Sequence, residues 1–235
     1  MLKKVCLGLL VATAAAAASV SSHAAIVLLT GTNFDVQYDD ALTGKYGTPS
    51  LSGNVVFFTP TDFKAESLNG AGITTSNGTV NIRIIPKNGF AVGNLNLQER
   101  GDYVLLGANS SVNVTGQTRA FSLSNPLFDI SNSITTSSNL TIRDGLQHNW
   151  VANSNLNLAS LGLAPNQVVN YTIENLLRAY TDISDLGIKQ AFIEKKFSGF
   201  SITVSPVPEP STVISMLAGL GLLGFLISCR NRRSL

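Results

Sequence analysis

Cysteine and histidine are scarce in this 235-residue sequence. The only two cysteines, Cys6 and Cys229, lie in apolar stretches near the two ends, so residues 25–205 contain no disulfide, thiol ligand or thiol nucleophile. Over the same residues His148 is the only histidine, which excludes a histidine-based metal cluster and leaves one base for any Ser-His-Asp arrangement. We therefore predict a protein that is not an enzyme and that needs no cofactor.

Charge of either sign is also sparse in the middle of the chain. Residues 25–205 contain eleven Lys and Arg against thirteen Asp and Glu, whereas the other basic residues lie at the two ends. A nucleic-acid-binding surface needs a strong positive field to neutralise phosphates. The near-neutral middle of the chain therefore argues against nucleic acid as a partner, although the whole-chain pI is about 8.6.

The N-terminal residues have the three parts of a secretory signal peptide. A pair of lysines is followed by an apolar stretch rich in Leu and Ala, and small residues at Ser22 and Ala24 provide a cleavage site. We predict export through the Sec translocon and removal of residues 1–24 by signal peptidase, with cleavage after Ala24 or after Ala25.

A proline-rich neck lies about thirty residues before the end of the sequence. Its centre is Val207-Pro208-Glu209-Pro210, and we place the neck at residues 206–211. The two prolines hold the backbone extended and lack the N–H groups that a helix needs. An extended segment of this kind is typical of a processing site.

An uncharged apolar stretch follows the neck and leads into a cluster of arginines. Residues 212–229 contain no charged side chain, and Arg230, Arg232 and Arg233 come directly after them. A helix of about 18 apolar residues is just long enough to cross a hydrocarbon core of about 30 Å. We predict a membrane-spanning helix over 212–229, with residues 230–235 as a basic cytoplasmic tail that stops translocation.

Together the neck, the apolar stretch and the arginine cluster resemble the bacterial PEP-CTERM sorting signal over about residues 206–235. This resemblance implies an exported protein that is held transiently in the inner membrane and processed there by exosortase, a transpeptidase-like enzyme. It also implies a final location at the cell surface or outside the cell. The class is associated with bacteria that make exopolysaccharide and biofilm matrix. The resemblance does not extend to the residues before the neck.

Residues 25–205 have the composition and periodicity of a β domain. They are rich in Ser, Thr and Asn, and short alternating apolar runs recur between Gly, Asn and Pro, as in sandwiches and barrels. The clearest runs are Phe34/Val36/Tyr38, Val80/Ile82/Ile84, Leu95/Leu97, Val112/Val114 and Phe200/Ile202/Val204. We predict a mostly β protein with a single β-sandwich, jelly-roll-like, over 25–205 and a transmembrane helix after it.

Two segments fit more than one type of secondary structure. Alternating apolar residues over 169–180 favour a strand, although part of this segment would also suit a helical turn. Residues 191–197 leave the same choice open, since Asp185 is a candidate N-cap for a helix that begins at Leu186.

Trp150, the only tryptophan, is the best candidate for a contact with glycan. An aromatic ring can stack on a sugar, and the neighbouring Gln147 and Asn149 can hydrogen-bond its hydroxyl groups. The alternative is that Trp150 is a core residue, as most single tryptophans of β domains are.

Two groups of aspartates are candidate ligands for Ca²⁺, which prefers oxygen ligands. Asp182 and Asp185 form the first group, and Asp35, Asp39 and Asp40 form the second. Neither group has the spacing of an EF-hand, so solvated acidic loops are the alternative.

Two functions of different classes remain. The sequence favours a non-enzymatic surface or matrix protein that binds exopolysaccharide or other matrix components. The alternative is a secreted polysaccharide hydrolase, in which a carboxylate pair such as Asp62/Glu66 or Glu99/Asp102 would act as acid and base.

Overall fold

The computed structural model describes residues 25–183, 187–207 and 215–223. Its strands form two antiparallel sheets. The strands of the six-stranded sheet are β1 (Ile26–Thr30), β2 (Phe34–Asp39), β6 (Gly72–Pro86), β8 (Ser111–Ser122), β9 (Asn125–Ser133) and β12 (Val169–Thr181). They lie side by side in the order β1-β2-β6-β12-β8-β9.

The seven-stranded sheet contains the other strands. They are β3 (Ser50–Ser52), β4 (Val55–Phe58), β5 (Lys64–Leu68), β7 (Phe90–Leu106), β10 (Thr135–Thr136), β11 (Asp144–Asn157) and β13 (Gln190–Pro206). Their order is β10-β11-β7-β13-β4-β3, and β5 also pairs with β13. Short 3-10 helices at Asp40–Leu42, Gly44–Tyr46 and Leu158–Leu161 lie in the connections.

Both sheets turn one face inward and share one hydrophobic core. Strand β12 shows how the sequence produces this arrangement, because every second residue from Val169 to Thr181 is buried while the residues that alternate with them face outward. Successive side chains of a strand point to opposite faces, so a period-2 apolar pattern places half of the strand in the core. The prediction of a strand over 169–180 is confirmed.

Strand β13 changes its inward-facing set part of the way along. Ala191, Ile193 and Lys195 are buried before position 196, whereas Ser198 and Phe200 are buried after it. The pairing of β13 with β7 shifts between Lys195 and Phe197, and the extra residue of such a β-bulge reverses the alternation. Residues 191–197 are therefore a bulged strand, and the helical alternative for them is wrong.

The prediction of a β-sandwich is confirmed, but the comparison with a jelly roll is not. A jelly roll has eight strands in two sheets, whereas the described part of this chain has thirteen strands in sheets of six and seven. The additional strands include short edge pieces such as β3 and β10, which the apolar pattern of the sequence does not mark.

The predicted membrane-spanning helix over 212–229 requires a correction. The described helical residues there are 215–223, which extend about 14 Å at 1.5 Å per residue, under half of a hydrocarbon core of about 30 Å. No helix in the described ranges has the length and apolarity that crossing a membrane requires. The other residues of the prediction lie outside the described ranges.

Candidate functional site

Trp150 is a core residue, which corrects the prediction of a sugar platform. Its side chain is 1% exposed, and its indole Nε1 donates a hydrogen bond of 3.1 Å to the backbone oxygen of Glu194. Gly101 lies directly opposite on β7, where a Cβ atom would come within 1.8 Å of the same oxygen and 2.8 Å of the indole. The ring is thus enclosed from both sides and cannot stack on a sugar.

Gln147 and Asn149 lie on the outer face of β11, away from the Trp150 ring. Asn149 is exposed and pairs with Asp102 of β7, and the Gln147 amide donates to the Asp102 carboxylate. Because successive residues of a strand point to opposite faces, the three predicted glycan contacts cannot act as one site.

The outer face of the seven-stranded sheet carries a ladder of amide side chains. We use the term amide face for a set of six exposed or half-buried residues: Asn94, Asn96, Gln98, Asn153, Asn155 and Asn157. They come from β7 and β11 and form three directly opposed pairs: Asn94 with Asn157, Asn96 with Asn155, and Gln98 with Asn153.

Hydrogen bonds between the amides hold this ladder in order. Asn155 donates to the side-chain oxygen of Asn96, and Gln98 Nε2 donates to Asn153 Oδ1 at 3.4 Å. The Asn153 amide in turn donates to Ser137 Oγ at 2.9 Å. Each amide has two donor hydrogens and two acceptor lone pairs, so every side chain of the ladder keeps capacity for a further partner.

Two phenylalanines extend the amide face with an aromatic surface. The half-buried rings of Phe57 and Phe197 are nearly parallel, at an interplanar angle of 17° and a centroid distance of 6.4 Å. Gly199 makes room for them, since a Cβ atom there would lie 2.6 Å from the Phe197 ring. Arg100 joins the two parts, because its guanidinium lies 5.7 Å from the Phe197 ring and its Nε donates to Gln98 Oε1 at 2.8 Å.

Two shallow open grooves follow this surface. One, of about 450 Å³, is lined by Asn96, Asn153 and Asn155 together with Ser133 and Thr135. The other, of about 360 Å³, is lined by Gln98, Arg100, Phe197 and Gly199, and shares Asn96 and Asn153 with the first. The arrangement offers apolar rings for the flat faces of sugars and rows of donors and acceptors for their hydroxyl groups.

The sequence contains a signal for the amide face that the alternation of apolar residues alone does not reveal. The segments Asn94-Leu95-Asn96-Leu97-Gln98 and Asn153-Ser154-Asn155-Leu156-Asn157 place an amide at every second position. The apolar pattern assigns Leu95 and Leu97 to a half-buried strand and marks the amides between them only as solvent-facing. The pairing register is what shows that both segments present their amides on one face.

The carboxylate pair Glu99/Asp102, considered for hydrolysis, does not form a site. Glu99 faces the core, whereas Asp102 faces outward and accepts hydrogen bonds from Gln147 and Lys196. In the other pair, Asp62 lies 3.7 Å from the Lys64 ammonium and Glu66 accepts from Gln190 at 3.3 Å.

The aspartates proposed as calcium ligands have protein partners. Asp182 Oδ2 accepts from Asn109 at 3.3 Å, and Asp185 lies outside the described residues. Asp39 accepts from the Ala41 backbone and Asp40 from the Ala25 backbone, while Asp35 lies 3.4 Å from the Lys87 ammonium. Over the described ranges, no three His, Cys, Asp or Glu side chains come together in a way that could hold a metal ion. Calcium at Asp182 and Asp185 stays a prediction.

A second polar cluster is enclosed between the sheets. Lys195 Nζ donates to Glu99 Oε1 at 2.7 Å, and both side chains are fully buried. Glu99 also accepts from Asn175 Nδ2 at 2.5 Å and from Ser198 Oγ at 3.1 Å. The aromatic rings of Tyr46 and Phe63 lie 4.9 and 4.4 Å from the Lys195 ammonium.

Tyr46 is one unsatisfied member of this cluster, because its buried hydroxyl has no hydrogen-bond partner. Burial raises the pKa of Tyr46 well above its usual value, and the charge of Glu99 raises it further. A raised pKa in the folded state means that the unfolded chain loses the phenol proton first as pH rises. The resulting loss of stability begins above about pH 10 and amounts to about 1.4 kcal/mol per pH unit.

We expect Tyr46→Phe to raise the free energy of unfolding by about 1 kcal/mol at pH 7, because it removes a buried hydroxyl without a partner. It should also weaken the loss of stability above about pH 10 by about 1.4 kcal/mol per pH unit. Urea unfolding between pH 7 and pH 11 measures both effects. Tyr180→Phe, at a partly exposed position of β12, is the control. A Tyr46→Phe protein that is less stable at pH 7 would show that the hydroxyl has a stabilising role.

The terminal signals lie almost entirely outside the described residues. Val207 is described, and its backbone N–H donates to the Gly89 oxygen at 2.6 Å. Ala25 is also described, whereas Ala24 and the segment Pro208-Glu209-Pro210 lie outside the described ranges. The arginines at positions 230, 232 and 233 lie outside them as well.

Two solved structures that match this chain are distant from it in sequence. A protein in a structure of the infectious bursal disease virus Gx strain is 12% identical, with a TM-score of 0.28, and the match covers 81% of this chain and 52% of that one. A protein in a structure of the Gt strain of the same virus is 11% identical, with a TM-score of 0.28, and the match covers 86% of this chain and 60% of that one. The chain thus spans between half and two thirds of those proteins, and these TM-scores do not establish a shared fold. No curated protein matches the chain.

The C-terminal residues do match a family. Residues 206–233 fit the family model described as the PEP-CTERM protein-sorting motif, which confirms the resemblance found in the sequence. The motif covers the neck that begins at the end of β13 and continues into the arginine cluster. This chain therefore carries a PEP-CTERM sorting motif, which identifies it as an exported protein that an exosortase-type enzyme sorts to the cell surface or the extracellular space.

Proposed function

We propose that this exported protein is a non-enzymatic surface or matrix protein that holds hydrated exopolysaccharide on its amide face. The observation that carries the proposal is the continuity of the amide ladder with the Phe57–Phe197 pair across β11, β7, β13 and β4. Export by the sorting motif supports it, because the motif delivers the domain to the place where such a matrix lies. In this proposal the protein resides at the inner membrane only while the sorting enzyme acts on it.

The chemistry of the face sets the expected strength of binding. Neutral amides exchange hydrogen bonds to water for hydrogen bonds to sugar, and the net gain for each is about 0.5–1.5 kcal/mol. Many weak contacts along a repeating polymer then add up through multivalency. Because Arg100 is the only charge in the second groove and the amide face has none, we propose binding that is weak at each site and that salt screens little.

Replacing two amides of the face should weaken retention on polysaccharide. For the double variant Gln98→Ala/Asn153→Ala we expect about a tenfold loss of affinity, since two hydrogen-bonding side chains contribute about 1.4 kcal/mol together. The measurement is co-sedimentation of the purified protein with exopolysaccharide isolated from the producing cells. Binding should persist in about 1 M salt, where charge–charge attraction is screened within about 3 Å.

Asn113→Ala provides the matched control, because Asn113 is an exposed amide on the other sheet, in β8. It should bind as the unaltered protein does, and so should the unaltered protein after treatment with EDTA. Equal losses in the control and the double variant would refute a specific role of the amide face. Release of new reducing ends from the polysaccharide would instead support the hydrolase alternative.

A further inference from the structure

Lys195, Glu99 and Asn175 form a buried group of an amine, a carboxyl and an amide that neither sorting nor polysaccharide binding uses. We propose that this triad is a self-modification site, at which the Lys195 amine attacks the side-chain carbonyl carbon of Asn175. The product is an amide bond between the two side chains, which ties β13 to β12 covalently.

The hydrogen bonds place the two reacting groups on one carboxyl. Lys195 Nζ donates to one oxygen of Glu99 at 2.7 Å, and Asn175 Nδ2 donates to the other oxygen at 2.5 Å. The side chains come from different sheets, since Asn175 belongs to β12 and Lys195 to β13. The β-bulge after Lys195 is what allows both Lys195 and Ser198 to face inward on the same strand.

The surroundings favour a reactive amine. Lys195, Glu99 and Asn175 are all fully buried, and the rings of Tyr46 and Phe63 enclose the amine. Burial lowers the pKa of Lys195, although the nearby Glu99 charge opposes this shift. An amine in an apolar pocket is a better nucleophile because a larger fraction of it is neutral. The exclusion of water also protects the Asn175 amide from hydrolysis.

Asn175 supplies an electrophile whose oxygen is not otherwise engaged. Asn175 Oδ1 is buried and has no hydrogen-bond partner, unlike the amide nitrogen of the same side chain. A buried acceptor without a partner is costly in a purely structural polar cluster. It has a role in the proposed reaction, because this oxygen carries the negative charge when the carbonyl carbon is attacked.

Glu99 is placed to move the proton that the reaction requires. It takes a proton from the Lys195 amine as the new C–N bond forms, and passes a proton to the Asn175 nitrogen as the old C–N bond breaks. One ammonia molecule leaves, and no oxidant or other reactant is needed. The fold supplies the reaction's main requirement, which is to hold the two groups side by side.

The bond would replace the disulfide that this part of the chain cannot form. Residues 25–205 contain no cysteine, and the motif directs the protein out of the cell, where a covalent tie protects against unfolding. A link between β12 and β13 would join the two sheets through strands in their interiors. Strand β13 also carries the last stretch of chain before the sorting motif.

The test is mass spectrometry of the full chain after tryptic digestion in denaturant. Cleavage after arginine and lysine should yield a branched peptide in which residues 144–178, with Asn175, are joined to residues 190–196, with Lys195. We expect this peptide to be lighter than the sum of its parts by the mass of one ammonia molecule. Glu99→Gln and Asn175→Ala should each abolish it, whereas Lys196→Arg, which leaves the triad intact and the digest unchanged, should retain it.

The unaltered protein decides the question without any variant. If its circular dichroism shows a folded β protein and the digest contains the separate peptides 144–178 and 190–195, the triad is a structural ion pair and the proposal is overturned. The proposal also fails if the branched peptide persists in Glu99→Gln, because the carboxyl would then have no part in the reaction.

Discussion

Trp150→Ala should lower the free energy of unfolding by about 3–5 kcal/mol, the usual cost of removing a large aromatic side chain from a core. The indole is 1% exposed and fits against Gly101, where no side chain could replace it. The substitution also leaves the Glu194 oxygen without its indole donor, which adds to the loss. Urea unfolding of the full chain, followed by circular dichroism, measures the change.

Trp150→Phe is the matched control for the indole. It keeps most of the apolar volume and loses the hydrogen bond to Glu194, so we expect a smaller loss of stability than for alanine. Neither variant should change polysaccharide retention by the folded fraction, since Trp150 faces away from the amide face. A Trp150→Ala protein with unchanged stability and impaired retention would contradict the assignment of Trp150 to the core.

Measured against the protein without the proposed cross-link, in which Lys195 is still the ammonium partner of Glu99, Lys195→Met should be destabilising to a similar degree, about 3–5 kcal/mol, because it leaves the fully buried Glu99 carboxylate without its cation. The remaining donors to Glu99 are Asn175 and Ser198, which are neutral and cannot balance a charge. The same unfolding measurements at pH 7 test this expectation.

The double variant Lys195→Met/Glu99→Gln separates the charge from the packing. Glutamine keeps an acceptor for Asn175 but has no charge to leave unpaired, so the double variant should be more stable than Lys195→Met alone. Neither protein has the Lys195 amine, and the comparison is therefore independent of any cross-link. If the double variant is instead less stable than Lys195→Met by the full cost of Glu99→Gln, the unpaired charge of Glu99 is not the cause of the destabilisation by Lys195→Met.

Strands β12 and β13 differ in how far the sequence predicts them. Strand β12 alternates buried and outward-facing residues along its whole length, and apolar residues fill every buried position except Asn175 and Thr181, so its conformation and most of its buried face follow from period. Strand β13 contains a bulge between Lys195 and Phe197, and the residues before and after it that face the core do not fit one period-2 pattern. Local pattern therefore left residues 191–197 open between a strand and a helix.

Pairs of distant residues explain why the sequence did not predict the candidate site. Asn96 and Asn155 are 59 positions apart and meet only because β7 and β11 pair in one register. A shift of that register by one residue would turn one set of amides into the core. Trp150 shows the converse, that residues adjacent in sequence need not form one site. Its polar neighbours Gln147 and Asn149 suggested a surface site, but strand alternation places them on the face opposite to the Trp150 ring.

The sequence by itself determined the sorting motif, the β class and the buried set of the regular strands. These properties depend on residues that are adjacent in the chain or that follow a short period. Tertiary structure alone decided the position of Trp150, the assembly of the amide face and the enclosure of Lys195 with Glu99 and Asn175. The physical reason is that sheet register and sheet packing bring together side chains from strands far apart in the chain, and the free energy of those contacts is not encoded in any local pattern.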